Sequence, residues 1–135
     1  MFRIDTAYNV FISHSWDYHS HYDKVLEWLK SSNIKINDYS VPITDPFDYM
    51  RKIKLREAIT EQIRHASVVI ILGGMYAAHS EWINYEIDEA IRMDKTILGI
   101  YPWGQERTPE KITSNANLMV HWNRDSVIEG FKSLV

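Results

Sequence analysis

The 135-residue sequence has no cysteine, which excludes a disulfide framework, thiol nucleophiles and cysteine-based zinc or iron–sulfur sites. Glycine is scarce: none occurs before Gly73, and the five are Gly73, Gly74, Gly99, Gly104 and Gly130. No G-x-G-x-x-G can therefore follow the first strand, and Ser13–Ser20 lacks the glycine of a phosphate-cradling loop. A G-x-S-x-G nucleophile elbow is also missing. Where a phospho-receiver needs an aspartate, at the end of the third strand, the chain has Leu72-Gly73-Gly74. Basic residues are not in excess: 15 Lys and Arg stand against 18 Asp and Glu, for a net charge of −3. No nucleic-acid partner and no membrane partner are expected from that balance. The longest aliphatic run, Val68–Leu72, is far too short to cross a bilayer. Met1–Asp5 leads almost at once into a strand-like segment with no signal-peptide core, so a cytoplasmic protein is expected.

What is present is an ordinary globular mixture, 45% hydrophobic and 24% charged, of a length that suits one domain over residues 1–135. Strand and helix patterns alternate without internal repeats. Tyr8–Ser13 is rich in β-branched and aromatic residues, and Tyr22–Lys30 has near-helical apolar spacing. Ile34–Asp38 alternates as a half-exposed strand does. A proline-bearing loop, Tyr39–Asp48, precedes a helix to about His65. Ser67–Leu72 is apolar throughout, Ser80 can cap a helix to about Met93, and Thr96–Tyr101 is a fourth strand. Leu118–His121 is a brief fifth strand before a closing helix. The pattern predicts an α/β flavodoxin-like three-layer fold with a five-stranded parallel sheet and helices on both faces. The apolar first, third and fourth strands belong in the centre, which gives the order 2-1-3-4-5.

Ligands of such sheets bind outside the carboxyl ends of the strands, near the switch point between the first and third. Ser13–Asp17, Tyr39–Tyr49, Gly73–Ser80 and Tyr101–Gly104 all land there, bringing aromatic, hydroxyl and imidazole groups to one rim. A small-molecule site is expected. In the third-strand helix the buried stripe is expected to be Ile83, Ile87, Ala90 and Ile91. Trp82 and Glu86 share a face about 100° round from it, at the boundary between core and solvent. Helical side chains lean toward the N-terminus, so the Glu86 carboxylate points back toward the rim beside the indole. Partial desolvation there raises a carboxyl pKa. A boundary tryptophan with a solvated glutamate is the plainer reading, and the spacing alone does not separate the two. His14, His19 and His21 match no metal-ligand spacing, and no metal is expected. Arg51, Lys52, Lys54 and Arg56 read as a solvated helix face or, less simply, as a source of one pyrophosphate contact.

Phe11-Ile12-Ser13-His14-Ser15 and Ser80-Glu81-Trp82-Ile83-Asn84-Tyr85-Glu86 resemble stretches of TIR (Toll/interleukin-1 receptor) domains. Asn37–Pro42, Gly74–Ser80 and Pro102–Arg107 add a resemblance to the bacterial TIR-like group that includes the signal-producing subunit of the Thoeris anti-phage system. The resemblance runs from about Tyr8 to Val135. It implies cleavage of NAD+ between nicotinamide and ribose, with NAD+ as substrate and no resident cofactor. The product is an ADP-ribose-derived signalling nucleotide, a cyclic variant or a conjugate, read by a separate effector protein in anti-phage defence. It also implies that Glu86 is catalytic, that Trp82 walls the nicotinamide-ribose pocket, and that the 39–49 loop completes the site through self-association. With the rim segments, the expected substrate-binding set is Phe11, Ser13, His14, Ser15, Asp17, Tyr39, Asp45, Gly74, Met75, His79, Trp82 and Trp103. Many TIR domains carry a basic residue soon after the first strand's serine, where this chain has His14 and Trp16. Two other readings stand beside this one: a non-catalytic TIR-like self-assembling module, and a nucleoside deoxyribosyltransferase-like enzyme using a glutamate on an N-glycosidic bond.

Overall fold

All five side chains of Val68–Leu72 are enclosed, as expected of a strand covered on both faces, and the rest of the fold is built outward from it. A computed structural model describes residues 1–15, 19–43, 49–104 and 107–135. Its elements in chain order are β1 (Ala7–Ile12), β2 (His14–Ser15), α1 (His19–Ser31), β3 (Lys35–Asp38), β4 (Pro42–Ile43) and α2 (Tyr49–His65). Then come β5 (Val68–Leu72), a single 3-10 turn (Gly73–Met75), α3 (Tyr76–Arg92), β6 (Thr96–Ile100), α4 (Glu110–Asn115), β7 (Leu118–Val120) and α5 (Arg124–Leu134).

The main sheet runs β3-β1-β5-β6-β7 with every pairing parallel, which is the expected order 2-1-3-4-5 in a flavodoxin-like fold. The exposed pattern of β3 fits its edge position. Helix α1 packs on α5, while α2 packs on α3 and α3 on α4. The switch of direction between the β1–β3 and β5–β6 crossovers puts these two groups on opposite faces. Both α1 and α3 end in a left-handed residue, Asn33 (φ 63°) and Asp94 (φ 54°). After α3, the Lys95 N–H reaches the Ala90 carbonyl at 2.8 Å and the Asp94 N–H reaches that of Ile91 at 3.0 Å, a Schellman stop that turns the chain sharply into β6. At the start of α5, the Asn123 side chain accepts the Ser126 N–H at 2.8 Å, a standard N-cap.

Three local expectations are corrected. Helix α3 begins at Tyr76 rather than at a Ser80 cap, with a break at His79 (φ −134°, ψ 34°) that leaves one leading turn before the main helix. Ile91 is 49% exposed, because eight residues on from Ile83 it has drifted about 80° round the helix. The loop after β3 holds a two-residue ladder, in which His14–Ser15 pairs with Pro42–Ile43. That ladder ties the segment after β1 to the segment after β3 at the carboxyl rim.

Candidate active site

From Trp82 to Arg92, five α3 residues, Trp82, Ile83, Glu86, Ile87 and Ala90, are buried. At about 100° per residue they form one continuous arc, displaced from Ile91 toward the side of Trp82 and Glu86. Trp82 is 1% exposed and Glu86 0%, which corrects their expected place at the boundary.

Helix α2 lies along the neighbouring flank of α3. Lys52 Nζ lies 3.5 Å and Arg56 Nη2 3.3 Å from the Glu81 carboxylate. The Arg56 guanidinium carbon stands 5.9 Å from the ring centroids of both Trp82 and Tyr85. One turn on, Thr60 Oγ1 is 2.5 Å from the Tyr85 hydroxyl and donates to Glu89 Oε1 at 2.6 Å. Lys95 Nζ closes the run by donating to the Arg64 carbonyl at 2.9 Å.

Two acids one turn apart on α3 meet opposite fates. Glu89 takes charge-assisted bonds from Arg92 at 2.6 and 3.1 Å. With help from Thr60 and Tyr85, these hold its pKa at about 2 against a partial desolvation. Among the described residues Glu86 has no such partner, and burial alone pushes its carboxyl up to about 8. It is therefore a neutral carboxylic acid at pH 7, able both to donate and to accept. Both Glu86 oxygens, the Trp82 Nε1 and the Asn84 Oδ1 are buried without a hydrogen-bond partner among the described residues. Orphaned buried polar atoms cost about 1–3 kcal/mol each, and folds commonly resolve such a cluster with a bound group, a water or a functional role.

The other expected site residues are distributed unevenly. Phe11 and Met75 are enclosed at 0% exposure, and their side chains belong to the core. Ser13 is equally buried, and its Oγ accepts the Leu72 N–H at 2.8 Å, stapling the ends of β1 and β5. Ser13→Ala strands that N–H, and urea denaturation is expected to show a loss of about 1–3 kcal/mol with an unchanged m-value. Tyr39 stacks on His65 at the end of α2, with centroids 5.7 Å apart, and the structure does not bring it to Glu86. Gly74 faces the His21 ring, which is 3.5 Å from where a Cβ would stand. His79 sits at the break in α3, 8% exposed. Trp103 is 74% exposed on the lip after β6, next to Gly104, whose φ of 88° favours glycine. The backbones of His14 and Ser15 lie in the β2–β4 ladder, while their side chains, with Asp17 and Asp45, lie outside the described residues. Sequence reading assigned no role to Asn84, Thr60 or Tyr85. Asn84 stood inside the Ser80–Glu86 run, but nothing in its spacing marked its oxygen as buried.

The class is now defined: a flavodoxin-like parallel sheet with a buried acid and an indole on the helix after its third strand. The 2-deoxyribosyltransferase of Bacillus psychrosaccharolyticus has a similar fold, at a TM-score of 0.66 and 11% identity over 89% of this chain and 90% of that one. The Clostridium botulinum CMP N-glycosidase BcmB is similar at a TM-score of 0.57 and 11% identity, over 91% of this chain and 97% of that one. No curated protein sequence matches the chain. The chain belongs to the family described as Thoeris protein ThsB, TIR-like domain, whose model matches residues 11–107. That stretch runs from the end of β1 past β6 and includes Trp82 and Glu86. Among the described residues no helix is long and apolar enough to cross a membrane.

Proposed function

We propose that this chain cleaves NAD+ at the bond between nicotinamide and ribose, and that its ADP-ribose-derived product signals to a separate effector protein in anti-phage defence. One observation carries the reading: both oxygens of Glu86 are buried and, among the described residues, unpaired one helical turn from an equally buried indole. Ribose hydroxyls admitted by an opening of the packing around this enclosed carboxyl would satisfy both, and the positive nicotinamide ring would draw the acid back toward its ionised form. When the C1′–N bond breaks, its electron pair returns to the ring nitrogen and nicotinamide leaves neutral. The leaving group needs no proton, so one carboxylate suffices where ordinary glycosidases use two. Glu86 would then face the cationic ribosyl centre and stabilise it electrostatically in a site of low dielectric. Water as the nucleophile gives ADP-ribose and a proton, a hydroxyl or ring nitrogen of the same molecule gives a cyclic product, and an added nucleophile gives a conjugate. Self-association through the 39–49 segment, of which residues 44–48 lie outside the described residues, would decide how much water competes.

The test is mass spectrometry of products from NAD+ incubated with concentrated protein, with and without free amino acids and with 2′-deoxynucleosides as a parallel arm. Nicotinamide release with an ADP-ribose-derived partner supports the reading. Turnover of deoxynucleosides alone would make the chain a nucleoside-processing enzyme instead. If no nicotinamide appears even under crowding, while changes in Tyr39–Tyr49 alter association, the chain is an assembly module.

A further inference from the structure

Arg56 was read from sequence as part of a solvated basic face or as a pyrophosphate contact, yet its surroundings point elsewhere. Its guanidinium carbon is 5.9 Å from the centroids of both Trp82 and Tyr85, rings three positions apart on one flank of α3. Its Nη2 donates to Glu81 Oε1 at 3.3 Å, and its own carbonyl accepts the Tyr85 hydroxyl at 3.3 Å. One residue of α2 is thus engaged with three consecutive contact points on the turn of α3 that leads to Glu86. Among the described residues the buried Trp82 Nε1 has no hydrogen-bond partner, so the orientation of the ring is left to packing and to Arg56. A planar cation over an aromatic face supplies that orientation.

We propose that Arg56 is a positioning residue that holds the Trp82 indole in the orientation enclosing Glu86; the inference rests on the proposed use of Glu86 in NAD+ cleavage. Burial is the cause of the Glu86 shift, so the role assigned to Arg56 runs through the Trp82 ring that it covers. The side chain is 48% exposed, which leaves the guanidinium partly solvated and places its effect in the modest range for a cation over a ring.

The chain has five tryptophans, so an amide spectrum of nitrogen-15 protein carries five indole N–H signals, and Trp82→Phe assigns the one needed. Arg56→Met is expected to shift or broaden that signal and to lower kcat for nicotinamide release about two- to thirtyfold, with KM less affected. Arg56→Lys, which keeps a cation over the ring, is expected to restore most of both. Glu81→Gln removes the ion pair but leaves the guanidinium over the indole, and is expected to change neither. An unmoved Trp82 signal in Arg56→Met overturns the proposal. So does a Glu81→Gln variant that reproduces the Arg56→Met spectrum, since Arg56 would then be only a tether between helices. A moved signal in a protein that releases no nicotinamide supports the positioning role and removes the NAD+ reading.

Discussion

Replacing Glu86 by glutamine is expected to abolish nicotinamide release while making the fold more stable above mildly acidic pH. The activity loss follows from removing the group that would face the ribosyl cation, and about a hundred- to thousandfold is the scale for such an electrostatic contact. The stability gain follows from burial. The carboxyl titrates at about 8 in the folded chain against 4.5 for the ordinary group. Below pH 4.5 both folded and unfolded chains hold this proton, and the acid adds no pH dependence. Between 4.5 and 8 the unfolded chain releases the proton and the folded chain keeps it, so stability falls as pH rises through that window. At about 1.4 kcal/mol per pH unit the loss reaches about 4–5 kcal/mol by pH 8 and is constant beyond it. Glutamine has the same shape and cannot ionise. Urea denaturation at pH 4.5, 6 and 8 should therefore show wild type and variant nearly equal at the lowest pH and diverging upward, with the variant the more stable. Parallel profiles would mean that the oxygens are solvated in the folded protein, and the premise of the site would be gone.

The strand order was legible because β5 is apolar at every position while β3 alternates, and that difference sorts central from edge strands. Trp82 and Glu86 were legible as a pair because four residues is one helical turn. Their depth was not. A helical wheel gives angles relative to the helix's own stripe, but not which neighbour covers the flank. Along that flank lie Lys52, Arg56 and Thr60 of α2, residue types that read as a solvated face until they meet Glu81, Tyr85 and Glu89. The structural partner of Ser13 was hidden for a similar reason. Its position at the end of β1 was clear, but its hydroxyl is taken up by a backbone N–H 59 residues away, a pairing that no local pattern encodes. The β2–β4 ladder is two residues long and contains a proline, too short and too irregular for a period to show.

If the indole is what keeps Glu86 dry, then Trp82→Ala should produce a destabilisation that depends on pH, and the direction can be worked out. Trp82 is among the largest fully buried side chains, and truncating a buried aromatic of this size costs about 3–5 kcal/mol. The same truncation admits water to the carboxyl, so its titration should fall from about 8 back toward 4.5. At pH 4.5 the acid is neutral in the unfolded chain as well and only the packing loss counts, so the variant shows the full deficit. At pH 8 the wild type suffers most from its buried acid and the variant is relieved of it. Two effects of similar size then oppose each other, and most of the deficit should close. Trp82→Phe separates shielding from the N–H: a phenyl ring still covers the acid, and no orphaned donor is left. It should therefore titrate like wild type while losing only part of the packing. Carbon-13 signals from labelled glutamate would follow the carboxyl directly in all three proteins. Were the Glu86 titration to stay near 8 in Trp82→Ala, the sheet and α2 would be keeping the acid dry without the indole. Arg56 would then have no carboxyl to influence through the ring.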